Sequence, residues 1–166
     1  MTLAAFALTS VAADWWSVAD DIDSASQCDS LDSVPLTFLT SQIDYQSAIQ
    51  GIFNDNCTAC HTQPDGAPPP PADLNLDPGV SWSNIVNHQS WHDVSIYRVV
   101  PNRPDLSLLF HKVNCMDQGT GLGVRMPLGG PYLSLDDQAI LSDWILAGAP
   151  STTTDVIFLS TFGPRG

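Results

Sequence analysis

Five consecutive residues, Cys57-Thr58-Ala59-Cys60-His61, constrain this chain more than any other stretch. C-x-x-C-H is the attachment pattern of a c-type haem. Thiols at that spacing can reach the two vinyl groups on one porphyrin edge, and the histidine that follows falls beneath the iron, where an imidazole nitrogen can ligate it. A C-x-x-C pair has two other common uses. A structural zinc site needs a second Cys/His pair at similar spacing, and Cys28 and Cys115 stand alone. A thioredoxin-like pair opens a helix inside a βαβ unit, and no such unit precedes residue 57. Neither use requires the adjacent histidine. The expectation is one haem c, covalently bound through Cys57 and Cys60, with His61 as an iron ligand.

Charge narrows the choice of partner. Among 166 residues there are 18 acidic and 5 basic side chains, a net charge of −13. Every acid is Asp, and Lys112 is the one lysine. Such a surface excludes nucleic acid as a partner. It would steer a redox partner with a basic surface, more weakly as salt rises; acidity that merely keeps the chain soluble is the plainer reading. Asp in place of Glu favours turns and caps over long exposed helices, so a loop-rich protein is expected.

Haem attachment uses two of the four cysteines and takes place outside the cytoplasm, so a periplasmic or extracellular location is expected. Cys28 and Cys115 remain, an even number in an oxidising compartment, and a disulfide between them is the reading. It would stabilise by roughly 3–5 kcal/mol on the chain-entropy argument. Two buried free thiols are the competing idea.

Residues 1–13 resemble the apolar end of a secretory signal without its charged start. Such a stretch would bury itself against its own domain or a neighbouring copy. A helical pattern runs from Gln42 to Asn56, with Asp44 as a cap, directly into the haem motif. Residues 66–73 form a proline loop that cannot be helical, and Leu74 and Leu76 drop onto the haem edge. A short helix is expected from Ser81 to Asn87, a strand-like stretch from Val94 to Val100, and a helix from Leu106 to Lys112 capped by Asp105. After a glycine-rich loop, Gly119 to Gly130, comes the clearest helix: Ser134 and Asp137 at capping-box spacing, an apolar stripe of Ile140, Leu141, Trp144 and Ile145, and Gly148 as the stop. Val156 to Leu159 read as an exposed strand open to pairing with another chain.

Met126 is the candidate for the iron's other face. It lies in the loop GLGVRMPLGG, where glycines let the backbone approach the ring. A thioether ligand stabilises ferrous iron and suits an electron carrier; a lone methionine filling the core is the plainer reading. Met116 is a weaker candidate, and His88, His92 or His111 would give a bis-His site. Arg125, Arg103 and Arg98 are candidate partners for the haem propionates, since guanidinium suits bidentate carboxylate contact; a surface role is the alternative for each.

Taken together, the helix, CTACH, the proline loop, VVPNRPDLSLLFHKV, RMPLGGP and SLDDQAILSDWILAGA resemble a mono-haem class I-type cytochrome c. The likeness is to the bacterial domains called planctomycete-type, which carry a VVPGxPxxSLL stretch and an RMP loop. It covers about two thirds of the chain, with Asn102 where glycine is common. The resemblance implies a mostly α, class I cytochrome c-like haem domain over 44–150, with His61 and Met126 as axial ligands. An irregular N-terminal extension, 1–43, and a strand-like C-terminal tail, 151–166, flank it.

Iron closed on both faces has no open position for substrate, so an electron carrier is expected rather than an enzyme. A peroxidase or the haem domain of a larger oxidoreductase is the alternative; di-haem peroxidases need two attachment motifs, and this chain has one. A further alternative is an extracellular homopolymer built through the N-terminal segment and the C-terminal tail.

Overall fold

The computed structural model describes residues 28–34, 43–115 and 123–152. The apolar stretch 1–13, Met116 and the strand expected at Val156 to Leu159 lie outside the described residues, as do both surfaces a homopolymer would use.

Asp44 starts the first helical run. Its carboxylate accepts the Ser47 N–H at 2.8 Å, satisfying one of the amides that every helix start leaves without a partner. A π-helical turn, Tyr45–Ile49, continues without a break into α1, Gln50–Asn56. The helix expected from Gln42 therefore begins at Tyr45. α2 spans Ser81–Ile85 and ends two residues short of expectation, because Asn87 turns into the left-handed region at φ 53°.

The stretch Val94 to Val100 is not a strand. Isolated bridges pair Val86 with Val99, Gln89 with Tyr97 and Tyr97 with Ser107. The segment folds back on residues 87–90: Asn87 N–H donates to the Val99 carbonyl at 2.9 Å, Arg98 N–H to His88 at 2.8 Å and Ser90 N–H to Ile96 at 2.8 Å. Pro101, with no N–H to donate, stops the pairing from growing.

α3, Leu108–Asn114, also starts later than expected, after a 3₁₀ turn at Pro104–Leu106. Asp105 does not cap it: its carboxylate is held by Arg103 at 2.6 Å in an exposed ion pair. Ser107 takes over the junction, its buried hydroxyl donating to the Arg103 carbonyl at 2.7 Å and accepting the Val100 N–H at 2.9 Å. α4, Leu135–Leu146, matches its sequence signals. Ser134 Oγ accepts the Asp137 N–H at 3.1 Å, and Gly148, at φ 95°, provides the left-handed exit that a side chain disfavours.

Every named element among the described residues is helical, so the fold is mostly α. Its core joins the first helical run to α4: Ile49, Phe53, Ile85, Val99, Leu141, Trp144 and Ile145 are all buried. The Tyr45 and Trp144 rings meet with centroids 5.4 Å apart. Burial pushes the Tyr45 hydroxyl up to about 12, so it stays protonated and bonded to Ser81 Oγ at 2.8 Å. Gln50 ties α1 to the next loop, Nε2 donating to the Leu76 carbonyl at 2.9 Å. Among the described residues no helix is long and apolar enough to cross a membrane.

Candidate functional site

α1 ends at Asn56, and the motif begins at once in a tight turn. Cys57 N–H donates to the Phe53 carbonyl at 2.8 Å, and the Cys57 carbonyl accepts from His61 N–H at 2.9 Å. The turn is clamped from outside by Asp77, whose carboxylate accepts Gln63 N–H at 2.8 Å and Thr62 Oγ1 at 2.6 Å. The Gln63 amide and then the Thr62 hydroxyl hold that carboxyl below its ordinary value.

His61 is oriented by a single bond, Nδ1 to the Leu74 carbonyl at 3.1 Å. A carbonyl can only accept, so Nδ1 carries the proton and Nε2 keeps its lone pair. Burial first, and then the nearby Arg98 charge, hold the imidazole below its ordinary pKa. A neutral ring whose second nitrogen is fixed by a carbonyl is the form metal ligation requires.

His61 and Cys57 border a cleft of about 380 Å³, within the size range of small-molecule and cofactor sites. Leu74, Leu76, Ile85, Leu109 and Val113 give it an apolar lining, and Met126 borders the same space from the loop before α4. Burial pushes the Cys57 thiol up to about 11. Cys60 is exposed and does not line the cleft. Among the described residues no three His, Cys or Asp side chains converge as a bare metal site would need.

The Met126 loop is set by α3. Met126 N–H donates to the Lys112 carbonyl at 2.7 Å, and Lys112 Nζ donates to the Val124 carbonyl at 3.0 Å. Gly123 is needed here: its φ is 87°, and a Cβ would stand 3.3 Å from Lys112 Nζ.

The arginines divide. Arg98 lines the cleft and is buried, its guanidinium donating to the Asn84, Ala72 and Asp73 carbonyls. Arg103 is outside the cleft, exposed and paired with Asp105. Arg125 also lies outside its lining: the guanidinium is buried, pairs with the Asp29 carboxylate and covers the Tyr132 ring at 4.3 Å. Among the histidines, His92 lines the cleft. His88 is exposed and bonded to the Gln89 carbonyl, and His111 turns its Nε2 to the Asp105 carbonyl at 2.8 Å.

Cys28 and Cys115 form a disulfide. Residues 28–34, part of the extension read from sequence as irregular, are thereby tied to the end of α3, as the expected disulfide implied.

Sequence reasoning named Arg98 but missed Lys112 and the exposed aromatic and aliphatic rim of the cleft, Trp91, Val124 and Leu128. Among the described residues Arg98 and Lys112 line the cleft, and no Asp does. The Asp-free stretches flanking both residues carried a trace of that bias.

No family model, curated protein or solved structure matches the chain.

Proposed function

We propose that this chain is an electron-carrying c-type cytochrome of class I type, matured outside the cytoplasm. It would hold one haem through Cys57 and Cys60, with His61 and Met126 as axial ligands. The observation that carries the reading is the shared cleft: Cys57 and His61 of the attachment motif and Met126, far apart in sequence, border one apolar space.

The chemistry of the lining fits a haem. Leucine, isoleucine and valine walls suit the porphyrin face, Arg98 and Lys112, with no acid among the described lining residues, suit its propionates, and a neutral imidazole with its Nε2 lone pair kept suits iron. When bound, the haem supplies one-electron exchange between ferrous and ferric iron. The protein's residues do the rest. The Leu74 carbonyl orients the His61 ring, Lys112 and Gly123 bring Met126 to the cleft, and the apolar walls exclude water. The exposed rim of Trp91, Val124 and Leu128 would leave one edge accessible to a redox partner.

The test is to express the chain with an export and haem-attachment system, then record its mass and absorption. The expected product carries one covalent haem and shows the far-red ferric band of a thioether–iron bond. A colourless product whose mass shows no added haem overturns the reading. A high-spin ferric spectrum would keep the cofactor and replace the carrier role with catalysis.

A further inference from the structure

We propose that Asp29 is a positioning residue for Met126, acting through Arg125; the inference rests on the haem reading above. Arg125 immediately precedes Met126, and its side chain points away from the cleft into a buried polar junction. Three groups meet it there. Nε donates to the Val113 carbonyl at 3.1 Å, the guanidinium stacks on Tyr132, and Nη2 donates to Asp29 Oδ2. The same Oδ2 accepts Gln138 Nε2 from α4 at 2.8 Å. Gln138 in turn accepts from Asn114 at the end of α3 at 2.8 Å, and Asn114 Nδ2 also donates to the Asp29 carbonyl at 3.0 Å. Asp29 thus ties the methionine loop to both helices beside it, its carboxylate holding Arg125 to Gln138 of α4 and its backbone carbonyl meeting Asn114 of α3.

Asp29 is held there covalently. Its neighbour Cys28 is bonded to Cys115, which directly follows α3, across a sequence separation of 87 residues. Asp29 comes from a part of the chain remote in sequence from the cleft, and it does not touch the cleft itself. Its contribution is to neutralise a buried guanidinium. Without it, Arg125 would sit buried with a carbonyl and a ring as partners, an arrangement far costlier than the pair. The relief available is for Arg125 to swing into water, which pulls on the next residue and on the Met126 N–H bond to Lys112. A thioether is a weak iron ligand, so a displaced loop yields the sixth position to competitors.

The experiment uses the holoprotein, with free imidazole as competitor and the thioether–iron band as readout, for wild type, Asp29→Asn, Asp29→Glu and Met126→Ala. The expected result for Asp29→Asn is retained haem, a weakened band and imidazole binding about tenfold tighter, as a larger fraction of molecules has the position open. Asp29→Glu should restore both toward wild type. If Asp29→Asn keeps the wild-type band and imidazole affinity while only its melting temperature falls, the carboxylate is purely structural and the proposal is overturned. If wild type lacks the band, or Met126→Ala retains it, methionine ligation itself is wrong and the proposal falls with it. Should Asp29→Asn fail to fold, the double variant Cys28→Ser, Cys115→Ser carries the test, since it keeps the carboxylate and removes its tether. A weakened band is then expected, and a full band overturns the proposal.

Discussion

A carboxylate at a buried junction reports its partners through its acidity. For Asp29, burial would raise the pKa, but hydrogen bonds from Arg125 and Gln138 and the Arg125 charge outweigh it, leaving the group below its ordinary value. The sign of the linkage follows. A carboxyl whose folded pKa is depressed adds stability above the unfolded value of about 3.9, and that stability is lost as pH falls through the folded pKa. Urea midpoints measured against pH should therefore fall below about pH 4 for wild type and fall less steeply for Asp29→Asn. Parallel curves would mean that the pair is not formed in solution. The Arg103–Asp105 pair is the contrast: both partners are exposed, and little stability is expected from it. Arg103 has its carboxylate two residues on, at Asp105, whereas Arg125 takes one 96 residues away, at Asp29. What separates them is which carboxylate the fold brings near, and that is why neither position could be read in advance as a propionate partner or otherwise.

At the scale of elements, legibility follows the range of the forces. The capping serine at 134, the capping aspartate at 44 and the glycine stop at 148 are local bonds between near neighbours, and each works in the fold as the sequence suggests. The stretch from Val94 to Val100 has a strand's composition, but it pairs at single positions, with Val86, Gln89 and Ser107, so it forms bridges instead of a ladder. Placing α3 needed knowledge of Ser107, whose hydroxyl bonds across a turn and so left no periodic trace. In the candidate site, that Cys57 and His61 lie close together was legible because the motif is contiguous, and both border the cleft. The Cys28–Cys115 disulfide was also legible, from the two cysteines left over, and it forms; the carbonyls that cradle Arg98 and the bonds of the Asp29 carboxylate to Arg125 and Gln138 were not, because they are assembled from separate segments. Two substitutions in α4 measure how unequal local and tertiary terms are. Ser134→Ala removes a cap and should cost about 1 kcal/mol. Trp144→Ala empties the fully buried space where α4 meets the first helical run, and should cost about 3–5 kcal/mol. Denaturant unfolding of the two variants checks the ratio; near-equal losses would mean that Trp144 is not the keystone of that contact.

Across the whole molecule, two fields of opposite sign compete. The chain carries a net −13, while among the described residues the cleft is lined by Arg98 and Lys112 and by no aspartate. Which of them a reagent feels depends on distance, because exposed charges are screened beyond about 10 Å at 0.1 M salt. At low salt the total charge should dominate approach and repel anions; as salt rises, that long-range field is screened, and the walls of the cleft act only at contact. Small inorganic redox reagents separate the two. On the proposed haem reading, the rate of electron exchange with anionic hexacyanoferrate should rise with ionic strength, and that with cationic hexaammineruthenium should fall. Stopped-flow rates for both across a salt series make the test, with the mutated cleft residue Lys112→Gln as a control that removes one local cation. Opposite slopes in wild type, with Lys112→Gln further slowing the anionic reagent at high salt, would mean that the acidic surface governs encounter and the basic walls govern contact. Should the anionic reagent slow as salt is added, the cleft's own charge reaches into solvent. A partner would then be recruited by the rim of Trp91, Val124 and Leu128 and the cations behind it, not by the acidic remainder of the chain.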